Sequence, residues 1–217
     1  MKRLMIVISE GQTEQTFVRE VLKPEFSSTH EFHAILPGKQ GGDIRYARVR
    51  PDILIALRQD ARAFCTTMLD FYLLGTDFPG MPPPARLSAP EKAERIEKAM
   101  LEDIAAELGP SFNKSRFIPY IQMHEFEGLL FSDPAGLAQA MDRPDLREKL
   151  ENIRREFGTP EDINDGKTTA PSKRILALCP NYGKVRGGSR VAKSIGFEAI
   201  RRECPHFAAW IRRIQEA

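Results

Sequence analysis

Acidic side chains stand at or just after the ends of three predicted strands of this chain. They are Glu10, Asp70 with Asp77 nearby, and the run that contains His124, Glu125 and Glu127. In an open α/β sheet the carboxyl ends of the strands are where ligands bind. Carboxylates that converge there repel one another unless a cation neutralises them, and hard oxygen ligands of this kind suit Mg²⁺ or Mn²⁺. A metal held in this way polarises a phosphoryl oxygen and activates water for attack.

The spacing within the third acidic run leaves its geometry open. If residues 125–131 form a helix, Glu125 lies on a more exposed face than the apolar residues around it, whereas in an extended segment Glu125 and Glu127 share one face. Both glutamates are therefore predicted metal ligands, together with Glu10 and Asp70. Glu10, Asp70 and Glu127 are also the predicted catalytic carboxylates.

The turn after Glu10 has the residues expected where a strand end binds a ligand. Gly11 gives the backbone room to turn, Thr13 is predicted to cap the following helix, and Glu14 lies in its first turn, where negative charge is favoured. We predict that Gly11, Thr13 and Glu14 contact substrate. The alternative interpretation is a plain turn from strand to helix.

Aromatic and basic residues supply further candidates. Tyr72 and His124 are predicted to contact substrate, and His124 is a candidate ligand or proton shuttle, or else a hydrogen-bonded structural histidine. Lys173 lies at the start of a predicted helix, where it is a candidate catalytic residue that contacts a phosphate or stabilises a leaving group. The alternative is that it is a solvated surface charge. Lys184 and Arg186 lie in a glycine-rich basic segment that contacts phosphate in one interpretation and is a flexible loop in the other.

Composition limits the class of protein. The 217 residues fit one large domain or a domain with an appendage, and a net charge of +2 argues against a globally basic nucleic-acid coat but not against a local basic groove. Cys65, Cys179 and Cys204 are widely spaced, which argues against a zinc knuckle. Their odd number and the absence of a secretory signal or a long apolar run predict a cytoplasmic protein without a membrane span.

Strand and helix patterns alternate in the first part of the chain and so predict an α/β fold with a mostly parallel sheet and helices on both faces. Strands are predicted at residues 3–9, 31–36, 63–72 and 116–122, and helices at residues 13–23, 51–62 and 90–108. Pro119 indicates that the last strand is an edge or carries a bulge. The long Pro- and Gly-rich loop at residues 73–89 is of a kind that is often functional.

After residue 133 the predicted elements are all helical. The helices are expected at residues 134–141, 145–157, 171–178 and 192–216. We therefore predict an α/β core at residues 1–133 and a helical extension at residues 134–217 that packs on it.

Several motifs match a known family. The opening Glu10-Gly11-Gln12-Thr13-Glu14 looks like that of TOPRIM domains, and Asp70 looks like the first acid of their DxD motif. More closely, the chain resembles a bacterial TOPRIM-like family of unknown function, the domain of unknown function 4276, which is related to OLD-type nucleases. The matching segments are residues 10–14, 67–72, 77–80, 124–133, 171–175 and 204–207.

The resemblance implies Mg²⁺-dependent breaking or joining of nucleic-acid phosphodiesters, with DNA favoured over RNA as substrate. It also implies that Glu10 is the general acid/base or a metal ligand and that Asp70 is a metal ligand. Relatives are often encoded beside ABC/SMC-type ATPases in systems that resemble phage defence, so an ATPase partner is implied. A homodimer is also left open.

The sequence departs from the TOPRIM pattern at Tyr72, which takes the place of the second acid of DxD and is a poor Mg²⁺ ligand. Glu125, Glu127 or Asp77 would then replace that acid, or the site holds one metal or none. The missing acid makes a catalytically silent adaptor or sensor subunit of an ATPase the second hypothesis. A third, a phosphatase or phosphotransferase acting on a small molecule, follows from the strand-end acid and metal alone, and the basic segments and the resemblance argue against it.

Overall fold

A parallel sheet lies at the centre of the computed structural model, which describes residues 2–37, 44–163 and 169–217, with the backbone alone at residues 184–187. Its strands are β1 (Arg3–Ser9), β2 (His30–Ile35), β3 (Phe64–Asp70), β4 (Phe117–Ile118) and β5 (Ile121–Gln122). The order is β2-β1-β3-β4, β5 also pairs with β3, and all pairs are parallel. The predicted α/β class is confirmed. The central strands β1 and β3 are largely buried because helices cover both faces of the sheet.

The edge strand is interrupted at Pro119, so the single strand expected at residues 116–122 is corrected to two short ones. Proline cannot donate a hydrogen bond to a sheet. The hydroxyl of Thr67 bridges the gap: it donates to the carbonyl oxygen of Tyr120 and accepts from the Tyr120 amide, both at 2.8 Å. A side chain of β3 thus replaces the missing backbone pairing.

Helices pack on both faces of the sheet. On one face lie α3 (Tyr46–Gln59) and α4 (Ala89–Leu108). The other face is covered by α1 (Gln12–Phe17) and the C-terminal helices. The remaining helices are α1 (Gln12–Phe17), which continues through a π-helical turn (Val18–Leu22) into α2 (Lys23–Glu25), and α5 (Pro134–Ala140), α6 (Arg147–Arg155), α7 (Pro171–Leu178), α8 (Lys184–Ile195), α9 (Phe197–Glu203) and α10 (Pro205–Glu216).

Two helix predictions were wrong in their bounds. The helix expected at residues 51–62 starts at Tyr46, with Pro51 inside it rather than in its first turn. Its early start is stabilised by Asp77, whose carboxylate accepts a hydrogen bond from the Ala47 amide at 3.1 Å, one of the amides that a helix start leaves unpaired.

The helix expected at residues 192–216 is three helices. The chain breaks at Gly196, whose φ of 88° favours glycine, and again before Pro205, which cannot continue a helix. The first of the three, α8, begins at Lys184, so the alternative of a flexible loop over that basic segment was wrong.

The C-terminal helices share a hydrophobic core with the sheet. Met5 and Val7 of β1 belong to the same buried cluster as Trp210 and Ile214 of α10, and the Trp210 indole donates to the Thr66 hydroxyl of β3 at 2.8 Å. The division at residue 133 stays a prediction. Among the residues described, no helix is both long and apolar enough to cross a bilayer.

Candidate metal centre

Four carboxylates gather where β1 and β3 end, on the sheet face that α1 and α8 cover. They are Glu10, Glu14, Asp70 and Glu127; all but Glu10 are buried. The backbone amide of Asp70 donates to Oε2 of Glu10 at 2.7 Å. This contact joins the ends of the two strands, which are neighbours in the sheet. The convergence predicted for the strand ends is therefore present for Glu10 and Asp70.

Asp70 is the most buried acid of this cluster. Its Oδ2 accepts a hydrogen bond from the Phe126 amide at 3.2 Å, and its Oδ1 has no partner. Burial, followed by the negative charges of Glu10, Glu14 and Glu127, raises the pKa of Asp70 well above its usual value, and the Phe126 amide opposes this only in part. The site therefore favours positive charge, a proton or a cation, at Asp70.

Glu125 and Glu127 are separated by the turn that joins them. Residues Phe126–Ser132 form a buried 3₁₀ helix, so the helical alternative is correct for this segment. Glu127 lies within it and faces the carboxylate cluster, since its charge acts on Asp70. Glu125 precedes it, and its Oε2 accepts a hydrogen bond from the Ser172 amide of α7 at 2.9 Å.

His124, which precedes Glu125, pairs with Tyr72. Their rings stack with centroids 5.2 Å apart, and Nδ1 of His124 is hydrogen-bonded to the Tyr72 hydroxyl at 2.8 Å. Burial and the nearby Lys92 lower the pKa of His124 to about 4, although acidic neighbours oppose the shift. The imidazole is therefore neutral at pH 7 and is suited to hydrogen bonding. Its φ of 64° is a strained conformation for a histidine.

Gly11 and Thr13 lie where α1 begins. The helix starts at Gln12 after Gly11, whose amide donates to Oε2 of Glu14 at 2.9 Å, so the expectation that Thr13 caps the helix was wrong. Thr13 contacts α8 instead, because its carbonyl oxygen accepts a hydrogen bond from the Ser189 hydroxyl at 3.0 Å. Gly11 and Glu14 are thus tied to the cluster by a short local contact.

The remaining candidate residues are Asp77, Lys173, Lys184 and Arg186. Asp77 binds the start of α3. The side chain of Lys173 is exposed on α7 and makes no hydrogen bond or ion pair within the part of the chain that the structure describes. The side chains of Lys184 and Arg186 lie outside the described residues, so their predicted phosphate contacts stay predictions.

Three buried hydroxyl groups near the cluster were missed by the sequence analysis. Ser9, Ser172 and Tyr182 each have a buried side-chain oxygen without a hydrogen-bond partner. Ser9 precedes Glu10, Ser172 contacts Glu125 through its amide, and the charges of Glu127 and Glu125 act on Tyr182. No local pattern marks these hydroxyls, because only the packing of α7 and α8 brings Ser172 and Tyr182 to the acids.

The donor chemistry of the cluster fits a hard divalent cation. Within the described ranges, no group of three or more His, Cys, Asp or Glu residues is already arranged to hold a metal ion. One oxygen each of Glu10 and Glu14 is turned to a backbone amide. The unpartnered Oδ1 of Asp70 is nevertheless a buried acceptor amid other carboxylates, which is the type of oxygen that Mg²⁺ or Mn²⁺ binds.

Comparisons with known proteins place the chain in a family. The curated proteins contain no match to it. A solved structure, the C-terminal region of the Xanthomonas campestris pv. campestris OLD protein, is similar with a TM-score of 0.39 and 12% sequence identity, over 100% of this chain and 99% of that one. A family described as "Domain of unknown function (DUF4276)" matches residues 9–215. The chain therefore belongs to the DUF4276 family.

Proposed function

We propose that this chain is a divalent-cation-dependent nuclease that hydrolyses nucleic-acid phosphodiesters, with DNA as the expected substrate. The observation that carries the proposal is the carboxylate cluster at the carboxyl edge of the sheet, with an unpartnered oxygen on buried Asp70. Bringing like charges together costs folding free energy, and titratable groups perturbed in this way are concentrated at functional sites. The likeness of residues 10–14 to the TOPRIM opening supports the choice of phosphodiester chemistry.

Glu10, Asp70 and Glu127 would hold the cation, which we take to be Mg²⁺ or Mn²⁺. When bound, it supplies positive charge for the phosphoryl oxygens and a more acidic water. Glu125, our fourth candidate ligand, is the least suited of the set, since the Ser172 amide already draws its Oε2 towards α7.

The neighbouring amides of the chain orient its acids. The Asp70 amide fixes Oε2 of Glu10, and the Phe126 amide fixes Oδ2 of Asp70. Glu10 is less buried than Asp70 and is held in one orientation, so it is the carboxylate best placed to accept a proton from attacking water. Glu127 remains a candidate for the same transfer, and exposed Lys173 a candidate donor to the leaving group once substrate is bound.

Mutation of the two strand-end acids tests this proposal. Purified chain would be incubated with plasmid and single-stranded DNA in Mg²⁺ or Mn²⁺, with EDTA as a metal control. We expect Glu10→Gln and Asp70→Asn each to lower the cleavage rate by about a hundredfold or more, because a general base or a cation ligand is lost. Asp145→Asn, at an exposed acid paired with Arg143, is the matched control and should cleave like the wild type.

Two outcomes would contradict the nuclease assignment. One is cleavage by both site variants at the wild-type rate, and the other is cleavage that persists in EDTA. Circular dichroism of each variant separates loss of chemistry from loss of folding.

A catalytically silent adaptor or sensor is the second candidate function, and the state of Tyr72 favours it. Tyr72 stands at the position of the second TOPRIM acid, and its hydroxyl is hydrogen-bonded to Nδ1 of His124. In this alternative the chain serves an ABC/SMC-type ATPase, alone or as a homodimer. Titration with Mn²⁺ distinguishes the two: an adaptor without a metal site binds none, whereas the nuclease binds Mn²⁺ and loses it with Asp70→Asn.

A further inference from the structure

Tyr182 places a phenol at the carboxylate cluster from the segment between α7 and α8. The residue is 8% exposed, and its hydroxyl has no hydrogen-bond partner in the described part of the chain. A methyl group added at Gly188 would lie 3.4 Å from this hydroxyl, 3.2 Å from Cγ2 of Thr13 and 3.3 Å from Cε1 of Phe126. The hydroxyl is therefore closely packed between α1, α8 and the 3₁₀ helix, at a point where α8 has room for glycine but little room for a larger residue.

An unpaired hydroxyl in this position is costly. A buried donor that has lost its contact with water destabilises the fold unless it is hydrogen-bonded, and native proteins retain few of them. Glu127 and Glu125 act on Tyr182 through their charge, but the phenol donates to neither of them. The donor is held beside the acids and left without an acceptor.

The carboxylate cluster also contains a buried hydrogen-bond acceptor that has no partner. Oδ1 of Asp70 is buried and unpartnered, and Phe126, whose amide orients Asp70, also lines the space around Tyr182. A single ligand that brings both a cation and an anionic oxygen satisfies the acceptor and the donor together. A metal-bound phosphate has this composition, and hydroxyl side chains are common partners of phosphate oxygens.

We propose that the Tyr182 hydroxyl donates a hydrogen bond to a non-bridging phosphate oxygen of the nucleic-acid backbone bound at the carboxylate cluster. This inference rests on the proposed nuclease function and adds a positioning residue to it. Tyr182 orients the phosphodiester against the strand-end acids and takes no part in proton transfer.

The test compares Tyr182→Phe with Tyr46→Phe, since both remove one buried phenol oxygen. Tyr46 lies in α3 on the opposite face of the sheet and donates to Oδ2 of Asp103 at 2.7 Å. Thermal unfolding would be followed in EDTA, and calorimetry would measure the binding of Ca²⁺ alone and then of a short oligothymidylate in Ca²⁺.

Opposite shifts are expected from the two variants. Tyr182→Phe removes an unpaired donor, so its midpoint of thermal unfolding should rise by about 2–4 °C, whereas Tyr46→Phe should lower it by a similar amount. Tyr182→Phe should weaken oligothymidylate binding about tenfold or more and leave Ca²⁺ binding unchanged. Tyr46→Phe should change neither affinity.

Replacing the phosphates of the oligothymidylate by methylphosphonates gives a second readout. The wild type should lose more affinity on this change than Tyr182→Phe does. Only the wild type has the phenol whose hydrogen bond to the phosphate oxygen is lost. Equal oligothymidylate affinity of the wild type and Tyr182→Phe, with Ca²⁺ binding intact, would overturn this inference alone; a bound water at Tyr182 would produce that result. A wild type that binds no Ca²⁺ would overturn the nuclease proposal and the inference with it.

Discussion

Asp70 is a carboxyl group that folding places among three others, and its two oxygens have different surroundings. Oδ2 accepts a hydrogen bond from the Phe126 amide, whereas Oδ1 is buried without a hydrogen-bond partner. Burial and like charge both disfavour the ionised form, so the folded chain binds a proton at Asp70 more tightly than the unfolded chain does. Asp70, a predicted cation ligand, therefore lowers the free energy of unfolding of the chain when no cation is bound.

Asp70→Asn should therefore stabilise the chain in EDTA at neutral pH by about 1–3 kcal/mol. The asparagine oxygen can still accept from the Phe126 amide, and the repelling charge is removed. Because the folded-state pKa of Asp70 is raised, its favourable contribution is fully present below the unfolded pKa of about 4 and is lost as the pH rises through the folded pKa. The gap between variant and wild type should open over that pH range.

Urea unfolding at several pH values measures this gap, with Asp145→Asn as the exposed control. Saturating Mg²⁺ should then raise the stability of the wild type and leave that of Asp70→Asn unchanged, because binding to the folded state alone is stabilising. An Asp70→Asn chain that is less stable than the wild type across the whole pH range would show that the carboxylate is a structural group.

The elements around the site follow from the sequence to different degrees. The apolar runs that became β1 and β3, and the one-sided apolar stripe that became α4, are strong signals because burial dictates their residue types. These signals were enough to bring Glu10 and Asp70 to one sheet edge. The fate of Glu125 and Glu127 was not predictable, because it depends on a 3₁₀ turn and on a contact with α7, which is distant in sequence.

The break between β4 and β5 is a second case of partial prediction. Pro119 indicates that the strand is irregular. Nothing in the local sequence indicates that a threonine on the neighbouring strand replaces the missing backbone hydrogen bonds. Thr67 is buried, and its one hydroxyl serves both polar groups of the Tyr120 backbone. Asp70 lies three residues further along β3. The position of the strand end that carries this acid therefore depends on the hydrogen bonds that Thr67 makes to Tyr120.

Thr67→Val should destabilise the chain by about 2–3 kcal/mol, since it leaves a buried amide and a buried carbonyl without partners. Thr67→Ser is the matched control: it keeps the hydroxyl and loses a methyl group, so it should cost only about 1 kcal/mol. Urea unfolding of both variants is the measurement. A valine variant as stable as the serine variant would mean that water or a shift of the edge strand satisfies Tyr120.

At the scale of the whole molecule, the C-terminal helices complete the core and the polar network of the sheet. Glu97 of α4 is buried, and its carboxylate accepts hydrogen bonds from His206 at 2.9 Å and from Arg213 at 3.3 Å, both on α10. Burial alone lowers the pKa of His206, but the contact with Glu97 outweighs it, so that its pKa is raised. Without α10 the buried Glu97 carboxylate would lose its buried partner His206 and its exposed partner Arg213, and leaving a buried charge without its partners typically costs several kcal/mol.

The predicted division at residue 133 can be tested on this ground. A chain of residues 1–133 keeps every strand of the sheet but exposes the face on which Phe207, Trp210 and Ile214 are packed, and these three side chains are fully buried in the intact chain. Burying such aromatic and aliphatic groups contributes roughly 1.5–3 kcal/mol each, which is a large fraction of the stability of an ordinary domain.

We therefore expect residues 1–133 alone to show no cooperative unfolding transition and to be digested by trypsin much faster than the full chain. Addition of residues 134–217 as a separate chain should restore protection, because the contacts between the two parts are packing contacts that need no covalent link. A cooperative transition in residues 1–133 by themselves would instead make the α/β core an independent domain. Mn²⁺ binding by that core would then place the complete metal site in the first 133 residues, and Tyr182 would act only on the substrate.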